Sequence, residues 1–244
     1  MTRTADPTPH ADYLAWDSAF FDRRIARVRP GHLDRATLSA LDAYCRAGRI
    51  DCLYFLAAPD DDTTVRLAEA NGFHLVDVRV TLDCRLSDTP IIDQAAPDIR
   101  PAQPSDLPAI TALARVNHRD TRFYADPQFP DARCDDLYAA WIARDFREHT
   151  VLVADHASLE RPVGYISVAA CADRGQIGLL GIDAVVEGRG IGGALIRAAL
   201  RWCRDQRLAT VAVVTQGRNI RAQRAYQKTG FRTAEIGLWY HRWR

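Results

Sequence analysis

The sequence predicts a mixed α/β (α+β) protein. Short runs rich in β-branched and aromatic residues alternate along the chain with segments whose apolar residues recur every three to four positions. Towards the C-terminus the order becomes strand, helix, strand, helix, strand, which is typical of parallel strands joined by helices. We therefore expect helices flanking a sheet that mixes parallel and antiparallel strands.

A first structured block is expected at residues 13–86, after a polar, proline-containing stretch at 1–12 that predicts disorder. The predicted elements of this block are a helix with Leu38, Leu41 and Cys45 on one face, a strand at 53–57, a helix at 61–70 and a strand after Gly72. Residues 87–98 contain three acids and two prolines, and we interpret them as a linker.

The second block, residues 99–244, opens with a helix that Pro108 suits at its first turn. The elements expected after it are a helix with Leu137, Trp141 and Ile142, strands near 151, 163 and 176, a helix with Leu195, Ile196, Ala199, Leu200 and Cys203 on one face, a strand at 210, a helix at 220–228 and a final strand. Gly230 is expected to end the last helix.

Composition and charge exclude several classes of function. The chain has 48% hydrophobic and 26% charged residues and a net charge of +1, so it lacks the electrostatic footprint of a protein that binds nucleic acid or an anionic membrane. Its six cysteines show neither a C-x-x-C pair nor metal-ligand spacing, which favours a reducing compartment and no metal. Without a signal-like segment or about 20 consecutive apolar residues, the chain is expected to be cytoplasmic.

The segment VVEGRGIGG, residues 185–193, has four glycines in six positions between a strand and an amphipathic helix. A helix start binds anions through free N–H groups, and glycines let a diphosphate approach. The dinucleotide-binding fingerprint G-x-G-x-x-G fits poorly. If the pattern starts at Gly190, its third glycine position is occupied by Leu195. If it starts at Gly188, the third glycine is Gly193, but no acidic residue ends the next strand. A Walker loop is excluded, since no Gly-Lys-Ser/Thr is present. A phosphate cradle and a simple tight turn both remain open here.

Downstream, residues 218–231 are RNIRAQRAYQKTGF. Together with EGRGIGG at 187–193 and the opening IRPAQPSDLPAI at 99–110, this order of motifs resembles the GNAT superfamily of acetyl-CoA-dependent N-acetyltransferases. The resemblance covers about residues 98–244. It implies the GNAT fold, a mixed and mostly antiparallel sheet with flanking helices, and acetyl-CoA as co-substrate without a metal.

The family's cofactor contacts carry over residue by residue. The resemblance implies that the glycine loop donates N–H groups to the coenzyme A diphosphate, and that residues 180–184 pair with the pantetheine arm and turn an N–H towards the thioester oxygen. The implied cofactor-binding residues are Leu180, Ile182, Arg189, Gly190, Ile191, Gly192, Gly193, Ala194, Asn219 and Tyr226.

Tyr226 matches the family tyrosine that lies near the sulfur and is the predicted catalytic acid. A phenol, with a reference pKa of about 10, stays protonated at neutral pH and can protonate a thiolate of pKa about 8.5. The alternatives are an aromatic core residue for Tyr226 and a plain helix N-cap for Asn219. Glu187 departs from the family's Gln or Arg. We expect Arg189 or Arg218 to offset its repulsion of a diphosphate, or its side chain to face the solvent.

The whole chain further resembles the nucleotide-sugar acetyltransferases that act on the 4-amino group of dTDP-4-amino-4,6-dideoxygalactose. The matching segments include WDSAFF at 16–21, GFHLVD at 72–77 and TRFYADPQF at 121–129. The implied acceptor residues are Arg119 and Arg122 for the sugar diphosphate and Phe123 and Tyr124 for stacking. A loop with ordinary surface and packing roles is the alternative.

Asp77 is the predicted catalytic base, because it falls on an acidic position of the resembled GF-x-x-V-acid stretch and an amine must be neutral to attack. Asp83 and His118 are the alternatives. Other hypotheses for the whole chain are a GNAT enzyme for another small amine, an antibiotic or a protein N-terminus, and a non-catalytic acyl-CoA-binding module. The expected partner is a small nucleotide-sugar acceptor, and homodimer formation through exposed edge strands is compatible with the sequence.

The first block also resembles the end of the second. Aligning Gly72-Phe73 with Gly230-Phe231 places Asp61 opposite Asn219 and Ala68 opposite Tyr226. The hypothesis is that residues 13–86 are a smaller, degenerate GNAT-like domain that does not bind cofactor and instead walls the acceptor site. Chance similarity of one strand–helix–Gly-Phe unit is the alternative.

Overall fold

The structure, a computed structural model, describes residues 10–29, 31–89, 98–156 and 159–244. It divides into two compact units, Met1–Val78 with Ile236–Arg244 and Arg79–Glu235. The sequence places the domain boundary in residues 87–98, most of which lie outside the described residues. In the structure residues 79–85 pair with a strand of the second unit, and residues 238–243 pair with a strand of the first. Long-range strand pairing, which composition does not reveal, accounts for this difference.

The first unit mixes three helices with short strands. Its elements are β1 (Ala11–Tyr13), α1 (Ala15–Phe21), β2 (Ile25–Val28), α2 (Arg35–Gly48), β3 (Cys52–Ala57), α3 (Asp62–Ala70), the start of β4 (His74–Arg85) and the end of β10 (Arg232–Trp243). β2 is antiparallel to β1 and parallel to β3, and β3 is antiparallel to β10. The helices and strands predicted here are confirmed. The prediction of disorder at 1–12 is wrong for Ala11 and Asp12, which pair with Val28 and Arg27.

The second unit is the larger. Its elements after β4 are β5 (Ile99–Pro101), α4 (Leu107–Asn117), α5 (Arg122–Ala125), α6 (Asp131–Glu148), β6 (Thr150–His156), β7 (Leu159–Cys171), β8 (Arg174–Ile182), α7 (Ile191–Asp205), β9 (Thr210–Gln216) and α8 (Ile220–Lys228). Its strands run in the order β4-β9-β8-β7-β6-β5. β8 and β9 are parallel, whereas β4 with β9, β5 with β6, β6 with β7 and β7 with β8 are antiparallel. This is the mixed, mostly antiparallel sheet that the sequence predicts.

The parallel pair β8–β9 separates before either strand ends. Pairing runs from Arg174 opposite Thr210 only as far as Ile177 opposite Val213. Next to this point the β7–β8 register shifts between Ile166 and Val168, as at a β-bulge, which bends a strand and increases its twist. Beyond this point Leu180, Gly181 and Ile182 pair with β7 on one side, and residues 178–182 of β8 have an open edge on the other.

The helix faces predicted from periodicity are buried. In α7 the buried residues include Leu195, Ile196, Ala199, Leu200 and Cys203. Five of the six cysteines are buried, as expected of small hydrophobic residues, and Cys171 is exposed. Within the part of the chain that the structure describes, no helix combines the length and apolar character needed to cross a bilayer.

The two helices compared in the sequence have matching local geometry. Asp61 caps α3 by accepting the Thr64 N–H at 3.0 Å, and Asn219 caps α8 by accepting the Ala222 N–H at 2.9 Å. The two helices also end alike. The Phe73 N–H donates to the Ala68 carbonyl at 3.0 Å, and the Phe231 N–H donates to the Tyr226 carbonyl at 3.1 Å. In both cases the residue before the phenylalanine is a glycine with positive φ. A degenerate GNAT-like first domain stays a prediction, with this local likeness in its favour.

Candidate active site

A cleft of about 850 Å³ lies in the second unit where β8 and β9 separate. Its wall consists of the loop before α7, the end of β8, the end of α4 and one face of α8. The predicted cofactor-binding residues on this wall are Leu180, Ile182, Gly190, Ile191, Gly192, Gly193 and Asn219. The separation of the strands thus brings together residues that are up to 39 positions apart in sequence (219 − 180).

The glycine loop has a backbone that only glycine adopts readily. Gly188 and Gly190 have φ of +76° and +81°, and no atom lies within 4 Å of a Cβ built on either. The backbone angle, not lack of space, therefore calls for glycine at these two positions. Gly190 precedes α7, and the first intrahelical bond runs from the Ala194 N–H to its carbonyl at 3.0 Å.

The start of α7 fits a diphosphate. The N–H groups of the first helical residues, Ile191, Gly192 and Gly193, have no acceptor within the helix, and the helix dipole adds partial positive charge there. All three residues line the cleft. Of the other two predicted residues here, Ala194 is buried at 2% exposure and Arg189, within the glycine loop, is exposed, and neither is among the residues that line the cleft.

The open edge of β8 fits an extended amide chain. The N–H of Asp183 donates to the Val163 carbonyl, and the N–H of Leu179 donates to Ser167 Oγ. Both acceptors belong to β7. Because N–H direction alternates along a strand, the N–H groups of Leu180 and Ile182 face the opposite, open edge. That of Ile182 donates to Asn117 Oδ1 at 3.0 Å. Of these two N–H groups, that of Leu180 can therefore bind a ligand without breaking the hydrogen bond between Ile182 and Asn117.

Tyr226 is not among the residues that line the cleft, although its helix neighbours Ala225 and Thr229 are. Its side chain is 3% exposed and packs edge-on against Phe231, with ring centroids 5.4 Å apart. Burial raises the pKa of the phenol well above its ordinary value of 10.0. The hydroxyl therefore keeps its proton throughout the neutral range, whether it serves as an acid or only as a core residue.

Asn219 has two interpretations from the sequence, a cofactor contact and a helix N-cap, and its geometry is compatible with both. Its Oδ1 accepts the Ala222 N–H at 2.9 Å, so it is the N-cap of α8. The same residue lines the cleft next to Ile220. A cap in this position leaves the amide nitrogen of the side chain as a donor.

Glu187 is neutralised, but by a residue other than those expected. Its Oε2 lies 2.6 Å from Nη1 of Arg221, and both residues line the cleft. The expectation that Arg189 or Arg218 provides the offset is therefore corrected. Arg221 is on α8, and its approach to the loop follows from the packing of α8 beside α7, which the sequence alone does not reveal.

The predicted acceptor residues lie around α5. Arg119 Nη2 bonds to Asp135 at 3.1 Å, its guanidinium stacks on the Tyr124 ring at 5.1 Å, and the Tyr124 hydroxyl donates to Asp135 at 2.6 Å. Arg122 lies over Phe123 at 4.5 Å. Phe123 is only 7% exposed, so it packs in the core here, and Tyr124 offers more ring surface for stacking.

The predicted bases differ in environment. Asp77, in the first unit, is 4% exposed, and its Oδ1 accepts the Val78 N–H at 2.8 Å, whereas Asp83 is exposed. His118 Nε2 lies 2.7 Å from the Tyr165 hydroxyl, and burial lowers the pKa of the imidazole to about 4. His118 is therefore neutral at pH 7 and hydrogen-bonded to a core tyrosine.

Sequence reasoning missed several residues of the cleft. These are Asn117, Asp120, Arg197, Arg221, Arg224 and Lys228. Helical spacing would have grouped the last three, because positions 221, 224 and 228 share one face of α8. Nothing in the sequence pairs Asn117 with Ile182. Across the described ranges no group of three or more His, Cys, Asp or Glu side chains is arranged to hold a metal.

Comparisons with known proteins agree with this geometry. Residues 113–231 match the acetyltransferase (GNAT) family. The chain is 31% identical over 233 residues to dTDP-fucosamine acetyltransferase of Escherichia coli O6:H1, covering 94% of this chain and 96% of that one. It is 26% identical over 148 residues to the spore coat polysaccharide biosynthesis protein SpsD of Bacillus subtilis, covering 60% of this chain and 50% of that one.

A solved structure shares the fold. The GCN5-related N-acetyltransferase of Sphaerobacter thermophilus superposes with a TM-score of 0.67 at 17% identity, over 96% of this chain and 76% of that chain. At this identity the likeness concerns the fold alone, and it agrees with the GNAT fold that the motifs imply.

Proposed function

Because this chain belongs to the acetyltransferase (GNAT) family, we propose that it transfers the acetyl group of acetyl-CoA to the amino group of a dTDP-4-amino-4,6-dideoxyhexose. The observation that carries the donor part is the cleft in which the open edge of β8 meets the free N–H groups of α7. The acceptor part rests on the likeness to dTDP-fucosamine acetyltransferase, which covers nearly the whole length of both chains.

The chain's own groups suit binding and charge stabilisation. The N–H groups of Ile191, Gly192 and Gly193 would hold the diphosphate, and the open edge of β8 would hold the pantetheine amides. When bound, acetyl-CoA supplies an activated thioester. The N–H of Leu180 would donate to the oxygen on which negative charge develops when an amine attacks the carbonyl carbon, and a fixed donor of this kind lowers the barrier.

Tyr226 would supply the proton that the leaving thiolate requires. Its raised pKa keeps that proton in place at neutral pH until the reaction begins. As the new C–N bond forms and the C–S bond breaks, the phenol would pass its proton to the sulfur, and the phenolate would regain a proton from solvent, to which the amine's proton is finally released. The amine must lose one proton in the same cycle. Asp77 is the proposed acceptor of that proton, because residues 72–77 resemble the family stretch in which an acid follows Gly-Phe-x-x-Val.

The acceptor would be held by the residues around α5. Arg119 and Arg122 would bind the sugar diphosphate, and Tyr124 would provide the stacking ring, with Phe123 supporting it from the core. Arg119 already stacks on Tyr124 and bonds to Asp135, so the two acceptor groups form one ordered cluster. An ordered cluster lowers the entropy lost when a ligand binds.

A combined screen tests the proposal. The protein is mixed with acetyl-CoA and a panel of dTDP- and UDP-linked amino sugars, free amines, aminoglycosides and peptides, and the release of free thiol and the melting temperature are measured. We expect thiol release and an increased melting temperature with a dTDP-4-amino-4,6-dideoxyhexose. Turnover with peptides or free amines alone would overturn the proposed acceptor, and no thiol release with any amine would overturn the proposed reaction.

A further inference from the structure

The bulge in β8 lies directly before Leu180. One residue of β7, Ser167, is opposite two residues of β8, Gly178 and Leu179. This two-against-one arrangement leaves one residue of the bulged strand outside the regular ladder. Its backbone groups therefore need hydrogen-bond partners that the ladder does not supply.

The bulge decides which way the Leu180 N–H points. With the extra residue, Leu180 pairs with Ile166, and without it Leu180 would be opposite Tyr165. Because hydrogen-bonded and non-hydrogen-bonded pairs alternate along an antiparallel ladder, this shift of one position would turn the Leu180 N–H from the open edge towards β7. The N–H that is proposed to bind the thioester oxygen therefore depends on the bulge.

Ser167 holds the bulge with its side chain. Its Oγ accepts the Leu179 N–H at 2.9 Å, where a regular ladder would offer a backbone carbonyl. Ser167 is 1% exposed, so this bond is shielded from water. A hydroxyl has one proton and two lone pairs, and the direction in which it donates determines the direction in which it accepts.

Asp145 of α6 sets that direction. The Ser167 hydroxyl donates to Asp145 Oδ2 at 2.7 Å, which leaves its lone pairs for Leu179. The Asp145 side chain is 2% exposed, and its Oδ1 lies 3.2 Å from Arg144 Nη2 and 3.3 Å from His149 Nδ1. Polar contacts at both oxygens offset the cost of burying a carboxylate. A chain of hydrogen bonds thus leads from α6 to the bulge of β8.

Gly178 leaves the space that this chain of hydrogen bonds occupies. A Cβ built on Gly178 would be 2.6 Å from Ser167 Oγ and 2.9 Å from Asp145 Oδ2. Both distances are shorter than a real Cβ contact, so a side chain here would displace the hydroxyl or the carboxylate. The glycine of the bulge, the serine and the aspartate therefore form one fitted group.

We propose that Asp145 and Ser167 are positioning residues for acetyl transfer, because their hydrogen bonds fix the bulge and so aim the Leu180 N–H at the thioester oxygen. The inference rests on the proposed role of that N–H in the reaction. Neither residue is among those that line the cleft, so both act through the backbone of β8 and not on a ligand. A donor stabilises a developing oxyanion best when it is held in place beforehand.

Single-turnover kinetics test this role. Ser167→Ala and Asp145→Ala are compared with the wild type, using acetyl-CoA and a dTDP-4-amino-4,6-dideoxyhexose, and calorimetry measures the Kd of coenzyme A. We expect the rate of acetyl transfer to fall by about tenfold or more, since outright loss of an oxyanion donor costs about a hundredfold to a thousandfold. The Kd should change less than about threefold, because coenzyme A has no acetyl oxygen for the N–H to bind.

Two further variants separate positioning from general stability. Asp145→Asn keeps an oxygen that can accept the Ser167 hydroxyl, so its rate should stay within about threefold of the wild type. Ser18→Ala is the matched control, because Ser18 of the first unit is also buried and its Oγ accepts the Ile25 N–H at 2.9 Å. It should lower the melting temperature, as Ser167→Ala does, and leave the rate unchanged.

The amide signal of Leu180 reports the bulge without any substrate. Leu180 is the only leucine that follows a leucine in the chain, so labelling leucine with ¹³C at the carbonyl and ¹⁵N at the amide identifies its signal by nuclear magnetic resonance. We expect Ser167→Ala to shift or broaden this signal and Ser18→Ala to leave it unchanged.

Three results would overturn the inference: an unchanged Leu180 signal in Ser167→Ala, a wild-type rate in that variant, or an equal loss of rate in Ser18→Ala, which would assign the effect to stability. Absence of turnover by the wild type with every amine would instead overturn the proposed reaction. In that case the Leu180 signal would still decide whether Asp145 and Ser167 set the direction of this N–H.

Discussion

Oε2 of Glu187 lies 2.6 Å from Nη1 of Arg221, which joins the loop before α7 to the first turn of α8 on the wall of the cleft. An acid at this point of a diphosphate site is unfavourable by itself, by about 1 kcal/mol at 4 Å in water. The ion pair removes most of that repulsion. It also engages a cation that would otherwise face the ligand, so Glu187 reduces the positive charge that the cleft offers.

Replacing Glu187 with Gln is expected to strengthen acetyl-CoA binding by about twofold to fivefold, the range expected of an exposed ion pair. The substitution removes the negative charge and frees Arg221 to contact the diphosphate. Calorimetry at low salt measures the change. Glu148→Gln is the matched control, because Glu148 on α6 also pairs with an exposed arginine, Arg144, at 3.9 Å. Unchanged affinity in Glu187→Gln would mean that this carboxylate does not face the bound diphosphate.

Replacing Tyr226 with Phe is expected to lower kcat by about a hundredfold or more, on the usual scale of general acid catalysis, with little effect on acetyl-CoA binding. Phe retains the edge-on contact with Phe231, so the fold should persist. Steady-state kinetics and a melting curve measure the two effects. Tyr240→Phe, which removes another buried phenol, should retain full kcat. A wild-type kcat in Tyr226→Phe would rule out the acid role.

The structure also predicts how His118 makes stability depend on pH. Its pKa is lowered from 6.5 to about 4 in the folded protein. Between these values the unfolded chain binds the proton and the folded protein does not, so the free energy of unfolding falls as the pH drops from about 6.5 towards 4. The contribution is on the order of 3 kcal/mol, because the pKa falls from 6.5 to about 4 and one pKa unit corresponds to about 1.4 kcal/mol.

Urea unfolding of the wild type and of His118→Gln at pH 7 and pH 4.5 isolates this contribution. The wild type should lose more stability than the variant over this interval, since the variant has no imidazole to protonate at that position. His74→Gln, which removes an exposed histidine, should follow the wild type. Equal losses in the wild type and His118→Gln would show that the imidazole is not held neutral by burial.

The glycine loop can be tested by a pair of substitutions with the same backbone penalty. Gly190 has φ of +81° and Gly72 has φ of +78°, and neither has an atom within 4 Å of a built Cβ. Alanine at either position should lower the free energy of unfolding by about 1 to 2 kcal/mol, the penalty of a left-handed residue. Only Gly190→Ala should also weaken acetyl-CoA binding, by tenfold or more. Similar binding in the two variants would contradict the phosphate cradle.

Local sequence patterns predicted the helices and strands well, because each of these elements is specified by residues close together in the chain. The apolar face of α7, the Asn219 cap of α8 and the positive φ of Gly230 each follow from residues within a few positions of one another. The glycine loop and Tyr226 were assigned through motifs of the same short range. Pairings across long stretches of chain were missed, including Arg221 with Glu187 and Asn117 with Ile182.

The sequence by itself determined the fold class, the family and the order of the motifs that define the cleft. The fold class depends on periodicity and on capping residues, and the family depends on the resemblance of the glycine loop and of residues 218–231 to known motifs. The tertiary structure alone decided that β8 and β9 separate after Ile177, that Glu187 is neutralised by Arg221, and that Arg224 and Lys228 face the cleft. The physical reason is that charge partners and open strand edges arise from packing between distant segments, which no local pattern encodes.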